Sequence, residues 1–248
     1  MHIVSWNCHY GLTKDKFNSL MTKEDKKFFN ADIYALQEVR ENDFIDIADF
    51  GLSEEYKYRH WYGDHQEFGD CHIAGAREGD LGIALISKMK FHRFDQGRIR
   101  HRYVVPYVFI DEKNQEKFIL IHVWTKSEPE GYFEPVYNAL EYYKTQFKEL
   151  PIIMLGDFNF GVKYDDSFLN KFENIIENQI TDLKKASFKG KSTKTFYYPQ
   201  KPDKEYFNDC LFAKGCEGRF EVGDQKIWLE KNNSSLSDHC PIIAEINL

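Results

Sequence analysis

The stretch Ile152-Ile153-Met154-Leu155-Gly156-Asp157-Phe158-Asn159 reads as a buried strand that runs directly into two polar side chains. An unbroken apolar run of this length is expected of a strand covered on both faces. Gly156 is expected to end it, and Asp157 and Asn159 follow with only Phe158 between them. Gly, Asp and Asn are also the usual turn residues, and a short motif taken alone favours a turn. The rest of the chain decides between that turn and a reaction site held at the end of a rigid strand.

Working outward, the same arrangement recurs. "IVSWN" meets Asn7 and then His9, "IYALQEVR" meets Glu38 and then Arg40, and "ILIHVW" carries His122 within an apolar run. "YFNDCLF" places Asp209 among apolar neighbours, and "SLSDHCPII" sets Asp238 and His239 before a closing strand. Singly, each has an ordinary structural reading as a turn, a solvated strand end or a satisfied core histidine. Jointly that reading fails, because ionisable groups in apolar runs cost on the order of several kcal/mol unless paired or metal-bound. They are therefore expected to meet. Cys8, Cys210 and Cys240 each follow one of these polar residues. Side chains alternate faces along a strand, so the cysteines read as core filling and not as metal ligands. The oxygen-rich set Glu38, Asn7 and Asp238 suits a hard cation such as Mg²⁺.

Strand-like runs alternate with helix-like ones over the whole chain. Helices are expected around 14–29, 133–147 and 167–176. In the second of these, Phe133, Val136, Tyr137, Leu140, Tyr143 and Phe147 form one apolar stripe. Strands interleaved with helices argue for one continuous α/β domain over 1–248, with sheets sheltered by helices. No repeat or linker interrupts it. Five cysteines without CxxC spacing fit reduced thiols in a cytoplasmic protein. No basic segment followed by a long apolar one precedes the first strand, and no run is long enough to span a membrane. A net charge of −7 excludes a globally basic nucleic-acid coat, although a local basic strip can still bind phosphates.

The ordered set is W-N at the first strand, Q-E at the second, a lone mid-chain His, G-D-F-N, a late Asp and a terminal S-D-H. It resembles the endonuclease/exonuclease/phosphatase superfamily from Asn7 to His239. The resemblance implies a four-layer α/β/β/α sandwich, two mixed β-sheets packed face to face with helices outside. It also implies hydrolysis of a phosphoester dependent on Mg²⁺ or Mn²⁺. On this likeness Glu38 is the principal metal ligand, supported by Asn7 and Asp238. Asp157 orients or deprotonates the attacking water, Asn159 holds a phosphate oxygen, and His239 paired with Asp209 contacts the scissile phosphate. His122 resembles the second histidine of the deoxyribonuclease branch, and Arg40 the nucleic-acid contact of that branch. Asp157 and His239 are not separated as sole base. The chain departs from the family at His9, where exonuclease III-like enzymes have Asp, and at Cys210, where many relatives have Tyr.

Adjacent residues on a strand face opposite ways, so the partner of His239 is expected to be Asp209 and not Asp238. Two segments could meet a phosphate-rich substrate. Arg98, Arg100 and Arg102 alternate, and Lys184, Lys185, Lys189, Lys191 and Lys194 are interleaved with Phe188, Phe196, Tyr197 and Tyr198. Basic groups with aromatic neighbours suit single-stranded nucleic acid, and equally describe a solvated lysine loop over a core aromatic cluster. The leading reading is a monomeric nuclease acting on DNA or RNA. The alternatives are a hydrolase of a small soluble or lipid-derived phosphoester, and an inactive member retained for binding.

Overall fold

A computed structural model describes residues 1–9, 11–13, 16, 30–46, 54–63, 81–94, 104–125, 136, 142–143, 145–147, 149–159, 184–185, 187–188, 195–197, 205–206, 208–223 and 237–248. The apolar runs read from the sequence are its strands. In chain order they begin with β1 (His2–Asn7), β2 (Ile33–Arg40), β3 (Tyr58–Gly63), β4 (Leu81–Ser87) and β5 (Phe91–Arg93). Next come β6 (Val104–Ile110), β7 (Glu116–Trp124), β8 (Ile152–Asp157), β9 (Lys184–Lys185) and β10 (Ser187–Phe188). The last are β11 (Phe196–Tyr197), β12 (Glu205–Tyr206), β13 (Asp209–Lys214), β14 (Glu217–Val222) and β15 (Ile242–Asn247). A short helix α1 (Glu41–Asp46) follows β2.

One sheet has the order β10-β14-β15-β1-β2-β4-β3, the other β5-β6-β7-β8-β13-β9, and β11 pairs with β12 alone. Both large sheets are mixed. β1 runs parallel to β2 and β7 parallel to β8, while β15 and β13 run antiparallel beside them. Alternation decides what each face buries. Ile3, Ile33, Ala35, Ile83 and Leu85 of the first sheet join Tyr107, Leu120, Leu155 and Leu211 of the second in one apolar cluster, so the sheets pack face to face. Val4, Trp6, Tyr34, Leu36, Val39 and Ile86 form a separate cluster on the opposite face of the first sheet.

Of the expected 133–147 stripe, Val136, Tyr143 and Phe147 are described, and all three are buried in the shared cluster. Most of the three expected helices otherwise lies outside the described residues. Among the described residues no helix is long and apolar enough to cross a membrane.

Two expectations are corrected. Gly156 does not end its strand, since β8 continues through Asp157. Its φ of 141° and a would-be Cβ colliding with the Val123 carbonyl explain the glycine. It lets the backbone of β8 approach β7 closely without breaking the ladder. β3 and β14 were not expected as strands. β3 is an edge strand, half-buried along its length, and β14 is largely polar, so neither shows apolar alternation.

Candidate active site

Strand pairing delivers the polar residues to one end of the sandwich. Asn7 pairs with Gln37 across β1 and β2, and Asp157 pairs with both Trp124 and Asp209 in the second sheet. Asn7 then bridges the sheets. Its Nδ2 donates to Glu38 Oε1 at 2.9 Å and to Asp157 Oδ2 at 2.8 Å.

Glu38 reaches this point through a break in the alternation of β2. Ala35 faces the other sheet and Leu36 faces away, so Gln37 should face in and Glu38 out. The register instead shifts between Leu36 and Val39, and Val39 lies on the outward side. Gln37 and Glu38 therefore both turn inward at a bulge, where Glu38 takes a φ of 55°. Among the described residues, three of the four non-glycine residues with positive φ, namely His9, Glu38 and Asn159, lie at this end. Such backbone costs roughly 1–2 kcal/mol per residue, and strain of this kind gathers at functional sites.

Asp157 is fully buried and held from several sides. Its Oδ1 accepts the Asn159 amide at 2.8 Å, and its Oδ2 also accepts Asn159 Nδ2 at 3.0 Å. Asn159 Nδ2 donates further to the Thr125 carbonyl at 2.6 Å, so its amide is occupied in fixing Asp157. Burial pushes the Asp157 carboxyl up; Asp209 adds to the rise, while His239 and the Asn7 hydrogen bond oppose it.

His239 Nδ1 lies 2.9 Å from Asp209 Oδ2, the pairing expected from sequence. Its Nε2 is 4.0 Å from Asp157 Oδ2 and 3.9 Å from Asp238 Oδ1. Burial alone would lower the imidazole pKa, but Asp209 and Asp157 outweigh it and raise the pKa. The argument from opposite faces does not hold for Asp238, which approaches the same imidazole. Residues 237–239 precede β15, so strand alternation does not govern them. His9 Nδ1 lies 3.0 Å from Asp238 Oδ1. Burial pushes Asp238 up, and the His9 and His239 imidazoles reverse this to a net fall.

His122 is not brought into this cluster. It pairs with Leu155, two residues below Asp157 on β8, or about 7 Å deeper. Its Nε2 lies 2.7 Å from Gln37 Nε2, and Gln37 donates to Ser5 Oγ and the Ala35 carbonyl. Burial lowers the His122 pKa to about 3. Arg40 ends β2 at the rim, its side chain beside Gly11. Arg98, Arg100, Arg102, Lys189, Lys191, Lys194 and Tyr198 lie outside the described residues.

Further supports surround these residues, and among them Thr195 escaped the sequence reading. Thr195 Oγ1 accepts the amides of Asn208 and Asp209, both at 3.1 Å, and the Thr195 carbonyl accepts the Cys240 amide at 2.7 Å. The Phe196 ring lies 4.8 Å from the His239 ring. Ser237 Oγ donates to the Asn7 carbonyl at 2.6 Å, and Trp6 Nε1 to the His239 carbonyl at 3.0 Å. Nothing local marks Thr195, whereas the Ser before Asp-His did carry a signal as a turn-type hydroxyl. Cys8, Cys210 and Cys240 are buried and outside any disulfide, and burial raises the Cys8 thiol pKa.

Comparison with solved structures finds the same fold over whole chains. A mannosyl-6-phosphatase of Bacteroides thetaiotaomicron matches with a TM-score of 0.65 at 15% identity, with 100% of both chains covered. Beta toxin of Staphylococcus aureus matches with a TM-score of 0.68 at 16% identity, with 99% of each chain covered. Truncated TDP2 of Caenorhabditis elegans matches with a TM-score of 0.62 at 16% identity, covering 98% of this chain and 95% of that one. A search of curated proteins gives no match. The profile of the Endonuclease/Exonuclease/phosphatase family matches residues 4–197, and the chain belongs to that family.

Proposed function

We propose that the chain is a divalent-metal-dependent hydrolase of phosphoesters, acting on nucleic-acid phosphodiesters. The observation that carries this reading is the contact series from Asp209 through His239, Asp157 and Asn7 to Glu38, which joins a buried imidazole to an oxygen-rich wall. Hydrolysis of this type needs both.

The donor set fits a hard cation. The carboxyl oxygens of Glu38, Asp157, Asp209 and Asp238 gather at this end of the sandwich, and carboxylate oxygen is the ligand class of Mg²⁺ and Mn²⁺. Asp157, Asp209 and His239 also have donor atoms within 4.8 Å of one another. His239 Nδ1 is already engaged with Asp209, so the proposal assigns the ion to Glu38, Asn7 and Asp238. Bound there, a divalent cation would neutralise charge on the phosphate and activate water.

The chain's own groups supply the rest. His239, held protonated by Asp209, offers Nε2 to a phosphate oxygen where negative charge grows. Asp157, its pKa raised by burial and its orientation fixed by Asn7 and Asn159, accepts a proton from the attacking water. His122 positions Gln37 beside Glu38. Arg40 and Arg102 contact the substrate. The proposal includes a monomeric, cytoplasmic protein with one domain over 1–248 and helices over both outer sheet faces.

The net charge of −7 favours a second reading, a small soluble or lipid-derived phosphoester, because it opposes approach of a polyanion. The experiment is a Mg²⁺-dependent screen of single-stranded DNA, duplex DNA, RNA and a phosphomonoester panel. Cleavage of nucleic acid that stops on chelation supports the first reading. Turnover confined to the monoester panel supports the second, and activity insensitive to chelation sinks both.

A further inference from the structure

Lys16 is half-buried beside the segment that leaves β1. Thr13 Oγ1 accepts the Lys16 amide at 3.3 Å. Burial lowers the pKa of its ammonium, against the opposing pull of Cys8, Glu38, Asp238 and Asp43.

The side chain turns back onto the segment after β1. Its Nζ donates to the carbonyls of Cys8 at 2.7 Å, His9 at 2.7 Å and Gly11 at 3.1 Å. An ammonium has three hydrogens, and all three are used. The segment so gathered meets three of the proposed binding groups, Asn7, Asp238 and Arg40. The His9 amide donates to Asn7 Oδ1 at 2.9 Å, and His9 Nδ1 meets Asp238 Oδ1 at 3.0 Å. Gly11, with a φ of 116°, presses on Arg40, whose Cγ and Cδ lie 3.3 Å from where a Cβ would stand. His9 itself is held at a φ of 44°.

We propose that Lys16 is a positioning residue that serves as a built-in monovalent cation. By drawing three carbonyls onto one ammonium it fixes the backbone at Cys8, His9 and Gly11, and through these residues it places Asn7, Asp238 and Arg40. The proposal rests on the metal-dependent reading above, in which Asn7 and Asp238 hold the divalent ion.

Charge and position pull in opposite directions, which makes the idea testable. Removing a positive charge near Glu38 and Asp238 would by itself tighten binding of a divalent cation. Losing the hold on these carbonyls would weaken it. The experiment is calorimetric titration of the full chain with Mn²⁺ for wild type, Lys16→Met and Lys16→Arg, beside thermal melts of each. Lys16→Met should weaken Mn²⁺ by about tenfold or more, the size expected for groups that orient metal ligands. Lys16→Arg keeps the charge, yet its planar fork cannot converge on three carbonyls, so it should also weaken Mn²⁺ measurably.

Equal or tighter binding by Lys16→Met, or wild-type affinity in Lys16→Arg, would overturn the proposal while leaving the metal-dependent reading intact. Absence of Mn²⁺ binding by wild type would overturn both. Should Lys16→Met lack a cooperative melt, Lys16→Arg decides alone.

Discussion

The floor of the site, around His122, and its mouth, around His239, hold the same residue type at the same depth of burial, 0% and 3% exposed. At the floor the imidazole meets the Gln37 amide, and burial lowers its pKa to about 3. At the mouth Asp209 lies 2.9 Å away, with Asp157 and Asp238 close behind, and they reverse the effect of burial. The difference shows that charge state here is set by neighbours, not by depth. A neutral imidazole packs between sheets, while a charged one can face a phosphate.

The largest test of that contrast is catalytic. His239→Gln and Asp209→Asn should each lower kcat by about a hundredfold or more, typical of acid–base groups. Their double variant should be little worse than the poorer single one, because the pair acts as a unit. His122→Gln should stay within about tenfold of wild type. Equal damage from His122→Gln and His239→Gln in steady-state kinetics would erase the distinction between floor and mouth.

Gly156 separates the two levels, pairing with Val123 between the His122 and Asp157 rows. A side chain there would meet the Val123 carbonyl in an already left-handed backbone. Gly156→Ala should cost about 3 kcal/mol or more in urea unfolding. A loss under about 0.5 kcal/mol, the range of neutral surface changes, would contradict the close approach of β7 and β8.

Acid sensitivity separates the histidines by sign. The folded pKa of His122 lies near 3, below its unfolded value of about 6.5. The unfolded chain therefore binds the extra proton, and stability is lost as pH falls below about 6.5. Between pH 7 and pH 5 this amounts to about 2 kcal/mol. His60, lowered by burial to about 4, acts in the same direction. His239, raised in the fold, adds stability that is present below about pH 6.5 and fades as pH rises. His122→Asn should flatten the acid limb of the metal-free protein in denaturant melts; an unchanged limb would mean that another group sets it.

The smallest effect concerns the cation. If Mg²⁺ binds at Asp238 as proposed, it would add positive charge beside His239 and should lower the His239 pKa by about one unit in an NMR titration. The same ion should leave His122 unmoved, and equal shifts would place both rings at one level.

Much of this was legible in the chain. The eight main apolar runs and the residue types at their ends follow from hydrophobic patterning and the cost of buried charge, whereas the Asp209–His239 pairing was expected from an alternation that does not govern residues 237–239. What escaped depends on contacts that no local pattern encodes. Period two places Glu38 on the wrong face, and only the bulge brings it to Asn7. The edge strand β3 lacks alternation because neither of its faces is fully buried. Thr195 and Lys16 act on backbone groups distant in sequence or on a segment curled back in space, and backbone partners leave no signature in side-chain patterns.

The placement of β1 beside β15 has a kinetic consequence. Ser237 reaches Asn7 across 230 residues, and Trp6 reaches His239 across 233. Contacts of such sequence separation close late, because their loop entropy must be met before they form. During refolding, recovered turnover would lag behind recovered β-structure, and enzymatic activity would serve as a clock for the final docking of the C-terminal strand.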